Sequence, residues 1–313
     1  KALAALDCLT GLSRAALKDR YVRPQITNSR EGRISIHDGR HPMVEHALKR
    51  EMFVPNDTEL NHTDQEMIII TGPNMAGKST YMRQVAVLTI MAQTGSFIPA
   101  KSASFAPVDR IFTRVGAADD ISTGQSTFMV EMKEVSHILC NATKNSLILL
   151  DEIGRGTSTY DGMSIARAVV EYLNSKVHAY TLFATHYHEL SDMAAENEHI
   201  KNYTVTVKER GKEITFLRRI VPGSADKSYG IHVARLAGLP ESLLKRADEI
   251  LEGLEVEGIK EEPAAPVIRR KTALNLFSSP IIDELADLDV MSKTPIEAMG
   301  ILFRLSKEAK EGR

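Results

Sequence analysis

The sequence is poor in the features that would place a protein in a membrane, outside the cell, or over its whole surface on nucleic acid. It has two cysteines in 313 residues, Cys8 and Cys140, with no CxxC pair and no Cys/His spacing. That excludes a disulfide framework and a zinc cluster, and leaves the expectation of two buried free thiols in a reducing compartment, the cytoplasm by default. No apolar run approaches the ~20 residues that a membrane span needs; the stretch VAVLTIMA, residues 85–92, is far too short. Nor does a signal-peptide pattern open the chain. Positive charge is not in excess either: 39 Lys and Arg stand against 41 Asp and Glu, a net charge of −2. Any contact with DNA is therefore expected to be local or to be made elsewhere. An initial Met is lacking, and Leu3, Leu6, Leu9 and Leu12, with Arg14 and Lys18 beyond, already follow a helical period with no N-cap signal before them. The expectation is a fragment of something longer, 43% hydrophobic and able to bury a substantial core.

What the chain does have is a regular change of period. Short strand-like pieces, RISIHDG and EMFVPND, precede the apolar MIII of 67–70, which runs into TGPNMAGKST and a helical segment through Met91. RIFTRV (110–115) predicts a strand. STFMVEMKEVSHILCNA predicts a helix with Phe128, Met132, Val135 and Leu139 on one face. LILL, MSIARAVVEYLNS and YTLFATH then predict strand, helix and strand. Nearly all-apolar strands alternating with helices predict an α/β fold with a mostly parallel sheet flanked by helices. YTVTVKERGKEITFLRRI predicts two strands joined at Arg210-Gly211, an antiparallel edge, and LAGLPESLLKRADEILEGLE two helices broken at 238–240. Residues 256–272 are charged and rich in Pro and Ala, a linker by composition. The remainder, 273–313, holds one short helical segment.

Residues 72–79, GPNMAGKS, fit G-x-x-x-x-G-K-[ST] between a strand and a helix. Such a loop closes backbone N–H groups around phosphate oxygens. Its Lys78 reaches the β- and γ-phosphates and its Ser79 offers a hydroxyl to Mg²⁺. The expected nucleotide contacts are Gly72, Pro73, Asn74, Met75, Ala76, Gly77, Lys78, Ser79 and Thr80. The strand LILL ends in Asp151 and Glu152. In a P-loop protein the strand beside the phosphate-loop strand ends in an Asp that helps hold Mg²⁺, the role expected of Asp151 with Ser79. A second acid can orient or deprotonate the attacking water, so Glu152 points to a hydrolase rather than a kinase or a mere nucleotide binder. His186 ends another strand at the same sheet edge, where it can hydrogen-bond the γ-phosphate. Alone it would be a structural residue.

TGPNMAGKSTYMRQ, VGAADDISTGQSTFMVEM, LLDEIGRGTSTYDG and LFATHYHEL, in this order and spacing, resemble the ATPase domain of the MutS family of DNA mismatch repair proteins. The resemblance covers roughly residues 21–255. It implies an ABC-class P-loop ATPase that hydrolyses ATP to ADP and phosphate, in which each ATP lies between one subunit's phosphate loop and the other's signature segment, in a homodimer. On that basis Ser126 and Thr127 would face the partner's ATP, although Ser126 also reads as a plain helix N-cap. Phe53 would stack on adenine, with one extra residue between it and the loop; otherwise it reads as core. Gly154, Arg155, Ser158 and Thr159 would form the loop that crosses the interface and couples the two sites. The resemblance further implies that residues 1–20 end a lever helix, 21–235 form the ATPase domain and 236–255 form a helix-turn-helix dimerisation element. Mismatched DNA would be read by domains absent from this chain, and a MutL-type partner is expected. In the tail, ALNLF resembles a clamp-binding peptide through Leu274, Leu276 and Phe277, with Ala273 in place of the usual Gln. A transporter ATPase would carry an LSGGQ-like signature shortly before its Asp-Glu strand, which STGQSTF does not fit; two alternatives stay open, the MutS branch outside mismatch repair, against which GRGTSTYDG and the short tail speak, and a nucleotide-gated dimerisation scaffold with negligible turnover.

Overall fold

The computed structural model describes residues 1–28, 32–48, 52–73, 76–116, 126–210, 213–224 and 229–258. The loop residues Asn74 and Met75 and the tail peptide with Leu274, Leu276 and Phe277 lie outside the described residues. The chain divides into two compact units, 1–251 and 252–313; of the second, only the end of one helix is described. In chain order, α1 (Ala2–Asp19) leads to β1 (Gln25–Ile26), β2 (Arg33–Gly39), α2 (Pro42–Ala47), β3 (Asn56–Asn61), β4 (Met67–Thr71) and α3 (Lys78–Gln93). Next come β5 (Ser102–Phe105), β6 (Ile111–Arg114), α4 (Thr127–Asn141), β7 (Leu147–Asp151) and α5 (Thr159–Tyr172). After a π-helical turn at Leu173–Val177 follow β8 (Tyr180–Ala184), a 3-10 turn at His188–Asp192, α6 (Met193–Glu196), β9 (Ile200–Arg210), β10 (Glu213–Pro222), α7 (Gly230–Leu236) and α8 (Glu241–Gly258).

The larger sheet has the order β10-β9-β4-β8-β7-β6, parallel except for the antiparallel edge strand β10. β4, β8 and β7 are nearly all apolar, Thr71, Thr181 and Asp151 excepted, for a geometric reason: successive side chains leave opposite faces, and both faces are covered. Ile68, Ile70, Leu147, Leu149 and Leu182 join Tyr81, Met82, Val85 and Leu88 of α3 in one core. Met67, Ile69, Ile148, Leu150 and Phe183 join Val135 and Ile138 of α4 and Ala166, Val169 and Val170 of α5 in the other. A helix-period pattern in the flanking segments and unbroken apolar strands between them are what this arrangement requires.

The structure differs from the sequence-based expectation at four points. β7 does not lie beside β4: β8 is inserted between them, with Leu149 and Ile68 both paired to Leu182. Asp151 therefore sits two strands from the phosphate-loop strand, and the strand leading to His186 occupies the centre. Of EMFVPND, residues 52–55 are not a strand; Pro55 lacks the N–H that a ladder needs, β3 starts directly after it, and Glu51 lies outside the described residues. β3 belongs instead to a second, four-stranded sheet of order β1-β5-β2-β3, which the apolar runs did not announce. Finally, both cysteines are exposed rather than buried. The buried stripe of α4 runs through Glu131, Val135 and Ile138 and turns Cys140 outward, while Cys8 lies on α1, where Ala16 is the buried residue.

Asn56 joins the two sheets. Its side-chain amide donates to the carbonyl of Arg218 at 3.1 Å and its oxygen accepts from the amide of Ile220 at 2.7 Å. Arg218 lies within an irregularity of β10 between Phe216 and Ile220, where it takes a left-handed backbone, φ 56°. Asn56→Ala is expected to lower stability by about 2–4 kcal/mol, since each buried partner left unsatisfied costs about 1–3 kcal/mol. A lowered denaturation midpoint at unchanged slope is the check. At the other end, α7 and α8 break where expected, with Gly238 at φ 85°, and Arg235 reaches Glu241 at 3.5 Å. Among the described residues no helix is long and apolar enough to cross a membrane.

Candidate functional site

The parallel register of the larger sheet places three strand ends in line. Ile70 pairs with Ala184, and Ala184 pairs with Asp151. The residues that follow, Gly72, His186 and Glu152, therefore emerge at one edge. Two positions there need a left-handed backbone: Gly72 at φ 131° and Gly77 at φ 102°, the residue before α3. Glycine adopts such angles without strain, and its absence of a Cβ leaves the loop open to a bulky anion.

Lys78, the first residue of α3, is buried and donates to the carbonyls of Gly72 and, at 3.1 Å, Pro73. Its ammonium is thus turned onto its own loop. Burial pulls its pKa down to about 8, although the Glu152 and Asp151 carboxylates oppose the shift. Ser79 hydrogen-bonds to Asp151, whose carboxyl is pushed up by burial. The second Asp151 oxygen, Oδ1, is buried without a hydrogen-bond partner. A buried carboxylate oxygen left unpaired beside a hydroxyl is the donor set that a hard divalent cation takes. Among the described residues no group of three or more His, Cys, Asp or Glu side chains could hold a metal by itself.

Glu152 has a left-handed backbone, φ 56°, a strained conformation for a residue with a side chain. Its amide donates to Ala184 O at 2.9 Å, one Oε bonds His186 Nε2 at 2.7 Å, and the other pairs with Arg155. The His186 hydrogen bond, with Arg155 adding to it, holds the carboxyl at about 2, well below its ordinary value. Ala76 and Ile153 are buried beneath these groups. Beside the loop lies a cleft of about 180 Å³ lined by Leu48, Phe53, Gly77, Thr80, Gln84 and Arg218. Phe53 and Thr80 thus stand where a base and a phosphate could be reached from one cavity.

Ser126 and Thr127 stand exposed at the start of α4. The Ser126 hydroxyl accepts from the Met129 amide at 3.2 Å, so it caps the helix as the simpler reading held. Gly154 is buried, whereas Arg155, Ser158 and Thr159 are exposed, with Ser158 capping α5 through the Asp161 amide. Residues that the sequence reading passed over also converge here. Gln84 has both side-chain amide atoms buried without partners, and Arg218 reaches the cleft from a strand bulge. Glu131 accepts from Gly154 N at 2.6 Å. Only Glu131 left a trace in the sequence, an acid in the buried phase of an otherwise apolar helical stripe.

Residues 68–255 match the family described as MutS domain V. The DNA mismatch repair protein MutS of Methanococcoides burtonii is 53% identical over 98% of this chain and 36% of its own length. That of Acetivibrio thermocellus is 52% identical over 99% and 37%, and that of Caldicellulosiruptor bescii 54% over 98% and 36%. The chain spans a little more than a third of the length of the curated relatives it matches. A family match over more than half of the residues, joined to relatives of this identity, establishes that the chain belongs to the MutS family.

Proposed function

We propose that this chain is the ATP-hydrolysing part of a DNA mismatch repair protein, with nucleotide sites completed across a homodimer. The observation that carries the reading is the convergence of Lys78, the Ser79–Asp151 pair and the Glu152–His186 pair on one sheet edge beside the Phe53 cleft. Lys78 would exchange its loop carbonyls for β- and γ-phosphate oxygens, which regain for it a charged partner in a buried place. Thr80 and the glycines would complete the phosphate cradle and Phe53 would cover the base. Mg²⁺ held by Ser79 and Asp151 would neutralise charge on the phosphates. Glu152 would take a proton from the attacking water, and His186, bonded to its carboxylate, would hold that carboxylate in position near the γ-phosphate. Ser126 and Thr127, exposed at a helix N-terminus, are suited to an anion supplied by a second chain. Gly154, Arg155, Ser158 and Thr159 would meet that chain. By kinship with the relatives, mismatched DNA and a MutL-type partner would be engaged through the longer protein, and a sliding clamp through the tail.

One observation favours a second reading, a nucleotide-gated scaffold: Arg155 is paired with the Glu152 oxygen that a water would need. Phosphate release with ATP and Mg²⁺ separates the two. Steady turnover after any burst is expected; a single burst with no subsequent release would replace the ATPase reading with the scaffold.

A further inference from the structure

Resting on the ATPase reading, we propose that Glu131 is a positioning residue, which locks the helix carrying Ser126 to the loop that aims Glu152. Glu131 lies in the second turn of α4, and its residue is only 6% exposed. One carboxylate oxygen accepts from the Gly154 amide at 2.6 Å and the other faces Arg114 Nη2 at 3.6 Å. Arg114, at the end of β6, also donates to the carbonyl of Gly116 and pairs with Glu134 at 3.0 Å. The carbonyl of Gly154 in turn accepts from the Tyr187 hydroxyl at 3.2 Å. Gly154 is therefore held on both of its polar groups, by α4 on one side and by the segment after β8 on the other.

The clamp has little slack. Gly154 has φ 87°, and a Cβ there would stand 2.3 Å from the Gly162 carbonyl oxygen, so the loop is pressed against the first turn of α5. Ile153, between Gly154 and Glu152, is buried, and the Glu152 amide is fixed on Ala184. Two residues upstream of the clamped glycine, Glu152 has no room to shift independently. A displacement of Gly154 would move the Glu152 carboxylate, and a displacement of α4 would move Ser126 at the same time. The buried acid thus couples the group proposed to activate water with the group proposed to reach the partner's nucleotide.

Glu131→Ala removes the acceptor and leaves a buried N–H unsatisfied. Glu131→Gln keeps an oxygen for Gly154 but loses the charge opposite Arg114. Both variants should melt at lower temperature. Turnover should separate them: kcat is expected to fall about 10- to 100-fold in Glu131→Ala with little change in KM for ATP, because misplacement by an ångström can cost about that much. Glu131→Gln should retain kcat within about threefold of the parent if the Gly154 hydrogen bond is what matters. Amide hydrogen exchange over residues 152–158 should rise in Glu131→Ala and stay near the parent's in Glu131→Gln. Parallel loss of kcat and melting temperature in both variants, or unchanged exchange in Glu131→Ala, overturns the proposal. If the parent shows no steady turnover, the ATPase reading fails while the exchange experiment still decides whether Glu131 holds the loop.

Discussion

Glu152→Gln is expected to bind ATP about as tightly as the parent and to hydrolyse it about 10²–10⁴-fold more slowly, the range that general-base groups contribute. Glutamine is nearly isosteric with glutamate. Its amide oxygen can still accept from His186, which lies at 2.7 Å from the carboxylate. What disappears is the capacity to take a proton. The left-handed backbone at Glu152 is the local sign that the position is held for a purpose, since a glycine there would relieve the strain. The carboxyl sits at about 2, through the His186 hydrogen bond first and Arg155 second. Since His186 holds one carboxylate oxygen and Arg155 the other, an attacking water would have to displace Arg155 to reach the carboxylate. Single-turnover phosphate release with calorimetric binding tests the assignment. Hydrolysis by Glu152→Gln at the parent rate would reduce Glu152 to a strand-end carboxylate.

The sheet edge was legible in the sequence because its determinants are local. A strand with both faces buried is apolar throughout, a phosphate loop needs glycines at Gly72 and Gly77, and the residues that follow each parallel strand leave at the same end. The order of the strands was not legible. LILL and YTLFA are both largely apolar, and nothing in either says which one pairs with MIII; β8 took the central place and moved Asp151 one strand outward. The second sheet escaped for a related reason. β3, Asn56–Asn61, carries Asp57, Glu59 and Asn61 outward, while Thr58 and Leu60 turn inward, so its apolar content is too thin to signal a strand. Arg218 and Asn56 act through a bulge whose backbone has no sequence signature. Glu131 is recognisable only after folding has put Gly154 opposite it.

Mixing two inactive variants, Lys78→Ala and Ser126→Ala, is expected to restore activity. Lys78 is the loop's own cation and is buried against it, so its loss should remove tight ATP binding at that loop. Ser126 is exposed at the start of α4, and in the proposed arrangement it would serve the nucleotide of the other chain. A γ-phosphate contacted by one chain alone would stay open to water on its far face, whereas a second chain closes that face and adds the positive end of a helix where charge develops. In a heterodimer of the two variants, one composite site holds both lesions and the other holds neither. Random assortment makes about half of the dimers mixed, each with one intact site of two, so the mixture should regain about a quarter of the parent's activity. Dilution should lower specific activity in the parent for the same reason. Because Ser126 also caps α4, Ser126→Gly serves as a second variant, which lacks the hydroxyl yet costs the cap only a few tenths of a kcal/mol. If heterodimers form and stay inactive with both Ser126 variants, while the parent's specific activity is independent of concentration, each chain works alone and Ser126 is no more than a helix cap.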